Sequence, residues 1–524
     1  MELSIKIIMI VVFFAVTLYI GFYCRRKALN SNDFVLGGRN VGPWLSAFAY
    51  GTSYFSAVIF IGYAGSFGWE FGASALWIGL GNAFVGSLLA WVLLGRRTRL
   101  ITQRINSSTM PDYFGKRYTS NALKIAASII VFTFLTPYTA ALYNGLSSLF
   151  SIAFGFDQYW VWILIISVVT GIYVIIGGLM SSAVNSFIQG LIMLFGISLV
   201  LVVALNQNGG LIGSLEALST HGWQYSSIFG DNPIHLLFVV ILTSLGTWGL
   251  PQMVGKFYSI SDESQIKKGT IISTAFAVIV AGGCYFLGGF GRLFVESVES
   301  VGGASGIIPT MITGLVENKT LNALLVGLVV LLVLAASMST LSSLVMTSAS
   351  TVTIDLLGTK LKEEKKRTFI LKLLIIIFII VAGLLAIFQI YGPKELTSDI
   401  ASLMGISWGA ISGAFIGPFV YGLYWKKTTK AAVWSSFIGG VAICIASLIF
   451  KFMGFADKGT FIGVFLSDSI YMGVVAMVFS LVIVPVVSLF TRVTNKEEVE
   501  SMFDCYNEMV TVPAKNVLNS NKNK

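Results

Sequence analysis

The chain has 524 residues, 56% of them apolar or aromatic and only 11% charged, where an ordinary soluble domain carries roughly 25% charged residues. The length excludes a small disulfide scaffold, and the composition excludes disorder, a coiled coil and a typical cytosolic enzyme; the chain reads as an all-α polytopic membrane protein. Its net charge of +10 does not mark a nucleic-acid binder, because Lys and Arg cluster in short stretches between apolar runs, as membrane topology requires. A bilayer core needs about 20 apolar residues per helix, and that window predicts about thirteen transmembrane helices. They start near Ser4, Gly42, Ala73, Ala122, Gln158, Ser181, Pro233, Gly269, Leu321, Thr368, Thr397, Lys430 and Ser469. The first is too long, and too poor in a small-residue cleavage site, to be a signal peptide.

Basic residues alternate with loop parity. Arg25, Arg26, Lys27 and Arg39 follow span one, and Arg96, Arg97, Arg99, Arg104, Lys116, Arg117 and Lys124 follow span three. Lys256, Lys267 and Lys268 follow span seven; Lys360, Lys362, Lys365, Lys366 and Arg367 follow span nine; Lys426, Lys427 and Lys430 follow span eleven. The other connections hold few, which places the N-terminus outside and the C-terminus in the cytoplasm of a bacterial-type plasma membrane. The outer loops 206–232 and 294–319 are rich in Gly and Ser and read equally well as lids or connectors. The tail 492–524 reads as a polar cytoplasmic extension, with no soluble domain attached.

Enzyme chemistry has no carriers. Cys24, Cys284, Cys444 and Cys505 are scattered without CxxC spacing, which specifies neither a disulfide framework nor a zinc site. The two histidines, His221 and His235, assemble no triad. The stretch from Gly249 to Lys256 is one residue too long for a P-loop and lacks its Ser/Thr, so ATP-driven transport is unsupported. Acidic residues sit at predicted span ends or in loops (Glu70, Asp157, Asp355, Asp399), whereas a proton relay would place them within the spans. A cation at the midplane must then be held by carbonyls and hydroxyls. Hard cations accept such oxygen shells, which points to sodium.

Two spans supply those oxygens. Span two contains Gly51-Thr52-Ser53-Tyr54-Phe55-Ser56, small polar residues that weaken a helix where unwound backbone is tolerated only beside a cavity or site. Carbonyls freed at Thr52 and Phe55 would face an ion, and N–H groups of the following half-helix an anionic solute group. The same residues also suit close packing between helices. Span nine contains Ala336-Ser-Met-Ser339-Thr340-Leu-Ser-Ser343 and then Thr347; at 100° per residue, 336, 339, 340, 343 and 347 share one face. That stripe is denser in hydroxyls than packing needs. Span seven carries a second interruption, Gly246-Thr-Trp248-Gly249-Leu-Pro251-Gln252. It lies five helices after the first, an odd number, so a duplicated unit must insert upside down. Paired interruptions in inverted halves point to a transporter's binding site. The expected divisions are 1–41 (a peripheral helix and loop), 42–232 and 233–425 (the two inverted repeats), 426–491 (two peripheral spans) and 492–524 (the tail).

Three segments resemble the sodium:solute symporter family, whose members carry proline, pantothenate, glucose or sialic acid. They are 33–43 (DFVLGGRNVGP), 173–189 (YVIIGGLMSSAVNSFIQ) and 336–343 (ASMSTLSS). The resemblance implies a five-plus-five inverted-repeat core of leucine-transporter type. It also implies a sodium site formed by the carbonyls of Thr52, Phe55 and Ala336 with the hydroxyls of Ser339 and Thr340. The solute would lie beside the break, touched by Ser53, Tyr54 and Ser56. Trp248, Gln252, Tyr138 and Asn144 join it on depth and polarity alone, and Ser186 and Ser343 mark the ion path. Two departures stand out. Proline-type members place an aspartate where Tyr54 stands, whereas pantothenate-type members are closer to this chain there. Many members have a threonine-aspartate pair where this chain has Asn185-Ser186, so one sodium per solute is expected, with room for weaker ion coupling. The expected function is sodium-coupled import of a small polar organic solute, an amino acid, carboxylate or vitamin-like acid before a sugar. A uniporter or channel and a transport-fold sensor are the rivals. The partners are the solute and the lipid bilayer; no nucleic acid and no obligate protein partner are expected.

Overall fold

Long apolar runs in lipid must satisfy every backbone N–H and C=O internally, and in the computed structural model of this chain they do so as helices. The structure describes residues 2–25, 31–36, 41–358, 361, 363–393, 397, 400–454 and 460–507. Arg26, Lys27, Arg39, Lys360, Lys362, Asp399 and the tail from 508 onward lie outside them. Among the described residues the one β pairing is a bridge between Val41 and Ile260, in which Val41 donates to the Ser259 carbonyl at 3.1 Å and Ser261 to the Val41 carbonyl at 3.3 Å. It ties the connection before the second span to the connection after the seventh.

Ten helices among the described residues are long and apolar enough to cross a membrane, eleven when Pro233–Gly249 and Pro251–Tyr258, bent by 46°, count as one. Two of them, Val58–Arg104 and Tyr159–Asn206, run for 47 and 48 residues, or about 70 Å at 1.5 Å per residue, twice what a bilayer needs. Each turns at a glycine in a conformation that L side chains avoid: Gly72 at φ 61°, ψ −139° and Gly178 at φ 56°, ψ −152°.

Pro43–Tyr54 begins with Pro at its first turn, where the missing N–H costs nothing. It ends at Phe55, which is extended at φ −103°, ψ 117°. The chain resumes as a π-helical turn, Val58–Tyr63, and then Ala64–Phe71. We call this pair the broken helix, and Pro233–Gly249 with Pro251–Tyr258 the bent helix. The second half of the broken helix, after Phe55, meets Ser264–Gly289 backbone to backbone. A Cβ on Gly68 would lie 2.2 Å from the Gly288 carbonyl carbon, and one on Gly289 would lie 2.4 Å from the Gly72 carbonyl oxygen. The first half, Pro43–Tyr54, meets the same helix through a side chain, the Phe276 ring facing Gly51.

At the centre stands Lys319–Ser350, here the serine-rich helix, continued by a π-helical turn, Thr351–Leu356. Its apolar window is 83% buried, against 17% for Glu2–Cys24, so neighbours surround it and every face of it is packed.

The basic connections gather on one side. Arg96 pairs with Glu263 at 2.8 Å, Arg97 donates to the Leu423 carbonyl at 3.0 Å and Arg117 to the Gly422 carbonyl at 3.0 Å. Phe503 lies under Arg117. On the same side Lys124 reaches Asp112 at 3.0 Å and Asp355 at 3.5 Å. Asp355 is only 6% exposed, so this span-end carboxylate is enclosed rather than solvated. Glu70 and His235, 2.6 Å apart, mark another connection cluster with Arg292, which donates to the Trp69 carbonyl.

Candidate ion and solute site

The break in the second span leaves backbone groups that no helix satisfies, and the serine-rich helix supplies their partners. Ala57, the first residue after the break, donates its N–H to Ser337 Oγ at 2.8 Å. A serine from another helix thus does the work of an N-cap, meeting an N–H that lipid would leave unpaired. Thr340 Oγ1 lies 3.3 Å from the Thr52 carbonyl, 3.3 Å from the Ser53 carbonyl and 3.1 Å from the Ala336 carbonyl. Thr52 Oγ1 and Ser186 Oγ each lie 2.7 Å from Ser339 Oγ. Phe55 is extended, which turns its carbonyl out of the helical ladder.

The structure therefore brings Thr52, Ala336, Ser339, Thr340 and Ser186 into one buried cluster of neutral oxygens, with Phe55 at its edge. Among the described residues no carboxylate enters it. Three carbonyls and four hydroxyls are neutral oxygens of the kind that suits a hard monovalent cation.

Ser343 extends the cluster. Its hydroxyl donates to the Ser339 carbonyl at 3.1 Å, lies 2.8 Å from Ser53 Oγ and accepts from Lys256 Nζ at 2.8 Å. Lys256, expected in a solvated loop with Lys267 and Lys268, is instead 6% exposed. The bend at Pro251 turns its helix inward, into a pocket shared with Gln252, Ser182 and Ser342.

The expected solute residues separate. Tyr54 and Ser56 flank the break, and the Tyr138 hydroxyl faces Ser56 and Trp408. Ser56 Oγ and Trp408 Nε1 thus lie beside the Tyr138 hydroxyl, and Tyr285 Oη beside Asn82 Nδ2, all of them buried and none in a well-formed hydrogen bond. Tyr138 and Trp408 meet edge to face at 5.9 Å, and Tyr54 stacks on Phe55 at 4.5 Å. Ser53 turns away towards Ser343.

Trp248, Gln252 and Asn144 are not gathered with this group. The Trp248 indole donates to the Val85 carbonyl at 3.0 Å, so its polar atom is spent on a neighbouring helix. Gln252 lines the Lys256 pocket. Asn144 lines a separate cavity of about 420 Å³ with Ser148, Ser151 and Asp157. The sequence reading missed Ser337, Trp408, Tyr285 and Lys256. Only Ser337 left a signal, as a member of the 336–343 run on a face set aside.

Comparison with known proteins agrees with the fold. The profile of the sodium:solute symporter family matches residues 34–439. The osmoregulated proline transporter OpuE of Bacillus subtilis is 28% identical over 447 residues, 84% of this chain and 88% of that one. A sodium/proline symporter of Staphylococcus aureus is 28% identical over 455 residues, 84% and 85% of the two chains. A sodium-coupled sialic acid symporter, solved substrate-bound and outward-open, superposes with TM-score 0.71 at 18% identity, over 93% of this chain and 98% of its own. A nucleobase-cation-symport-1 family transporter gives TM-score 0.52 at 14% identity, over 91% and 99%; at such identities the likeness is one of fold. These are transporters, not enzymes, and the protein is a multi-pass membrane protein, in a bacterium one of the plasma membrane. Matched across most of its length, the chain belongs to the sodium:solute symporter family.

Proposed function

We propose that the protein imports a small amino-acid-like or carboxylate solute with one sodium ion, by alternating access. The reading is carried by the Thr340 hydroxyl, which reaches three carbonyls on two helices at the break. An ion drawn to those oxygens would fix the broken helix against the serine-rich one, and so favour the conformation that receives solute. Thr52, Phe55, Ala336, Ser339 and Thr340 are the proposed ligands. Ser186 belongs to the same cluster rather than to a second one, which supports a single ion.

Ser56, Tyr54 and Tyr138, joined by Trp408 and Tyr285, are proposed to hold the solute. The cage is aromatic with few hydroxyls, a better match to a compact solute with one charged end than to a sugar. The relatives named for proline put proline first among solutes to test, although Tyr54 stands where proline-type members have an aspartate. The paired interruptions, and the breaks at Gly72 and Gly178, support thirteen crossings, N-terminus outside and C-terminus inside, with inverted repeats at 42–232 and 233–425.

The test is uptake of radiolabelled proline, pantothenate and a panel of small acids into proteoliposomes, with external sodium or choline. Accumulation against the solute gradient that a sodium ionophore abolishes is the expected result. Equal influx in choline would refute sodium coupling and favour a uniporter. No influx of any panel member, with saturable solute binding, would favour a sensor.

A further inference from the structure

Lys256 carries a charge for which the transport reading has no use. It is buried at 6% exposure, and among the described residues no ion pair includes it. A buried ammonium without a counter-charge is costly and marks function rather than packing. Its one hydrogen bond, 2.8 Å to Ser343 Oγ, falls on the hydroxyl that joins the pocket to the oxygen cluster. Ser343 donates its single proton to the Ser339 carbonyl, so its two lone pairs are left for Ser53 and Lys256. With Lys256 docked, Ser343 has nothing to offer a metal ion. Beside it lies a cavity of about 60 Å³ lined by Gln252, Ser182, Ser342 and Thr347, and a Cβ at Gly255 would meet nothing within 4 Å. The amine therefore has polar space into which to withdraw.

We propose that Lys256 is a tethered cation that competes with sodium for the cluster. Sodium entering from the outer side drives the ammonium off Ser343 into the pocket; its return to Ser343 helps expel sodium towards the inner side. The inference rests on the sodium site proposed above. Two unit charges about two hydrogen bonds apart, roughly 6 Å, at an effective dielectric near 20 repel enough to weaken sodium binding about 100-fold. Withdrawal of the amine relieves part of that, so removing the charge should tighten sodium binding about 10- to 100-fold.

Equilibrium binding of ²²Na⁺ to the purified full-length protein tests this without knowledge of the solute. The wild type is expected to bind saturably and Thr340→Val weakly. Lys256→Met is expected to bind at least tenfold more tightly with slower ²²Na⁺ release, and Lys256→Arg as the wild type. If Lys256→Met does not fold, Lys256→Cys is measured before and after 2-aminoethyl methanethiosulfonate restores an ammonium; tight binding that weakens on modification supports the proposal. Unchanged or weaker binding in the neutral variants, with a sodium-binding wild type, overturns the tethered cation alone. No saturable binding in the wild type overturns the sodium site, and the inference with it.

Discussion

Replacing Thr340 by valine removes one oxygen while keeping shape and branching. The hydroxyl lies 3.1–3.3 Å from the carbonyls of Thr52, Ser53 and Ala336, at the point where the two helices meet. If it serves only as a tie between helices, its loss costs about 0.6 kcal/mol, the usual worth of an interhelical bond in a bilayer, and lowers thermal stability without touching ion dependence. If it is an ion ligand, a polar contact to a full charge is lost, worth about 1.5–3 kcal/mol, and half-maximal sodium rises about 10- to 150-fold. Initial uptake in proteoliposomes, titrated with sodium against choline at constant ionic strength, separates the two. Thr340→Ser, which keeps the oxygen, should stay within a few-fold of the wild type. A folded, active Thr340→Val protein with half-maximal sodium unchanged would refute the ligand assignment.

Two further substitutions test the neighbouring geometry. Ser337→Ala should strand the Ala57 N–H and lower stability by about 1–3 kcal/mol, seen as an earlier thermal transition in detergent; a transition equal to that of the wild type would show that the N–H finds another partner. Gly86→Ala would place a Cβ 2.2 Å from the Tyr54 hydroxyl oxygen, an overpacking worth about 1–3 kcal/mol, and should cut uptake severalfold. Tyr54→Phe in the same chain should restore part of the loss, and strict additivity of the two changes would deny the contact.

The oxygen cluster was legible because two local signals converge on it: a glycine followed by small polar residues in an apolar run, and hydroxyls at helical spacing. Both survive without knowledge of the partner helix. Ser337 was not legible by the same logic. Selecting one face of a helix presumes that the other faces meet lipid, and a helix 83% buried in its apolar window has none to spare. Lys256 was misplaced because a basic residue just past an apolar run normally anchors a span at the interface. Nothing in composition reveals that neighbouring helices enclose the segment after Pro251, Lys256 included. Trp248, Gln252 and Asn144 shared the expected depth, but depth fixes neither rotation about the helix axis nor which cavity a side chain enters. The long runs at Val58–Arg104 and Tyr159–Asn206 turn at Gly72 and Gly178, close to the expected span starts at Ala73 and Ser181, since bilayer thickness limits a straight helix whatever surrounds it.

The two halves of the broken helix are attached in unlike ways. After Phe55, glycines bring its backbone against that of Ser264–Gly289 so closely that no side chain intervenes to act as a bearing. Before it, hydroxyls and the Phe276 ring hold the helix, contacts that can slip or re-form. A rearrangement that moves the two halves relative to each other would then carry the second half along with Ser264–Gly289 as a single lever, with the swivel confined to the residues between Tyr54 and Ala57, where Phe55 is extended.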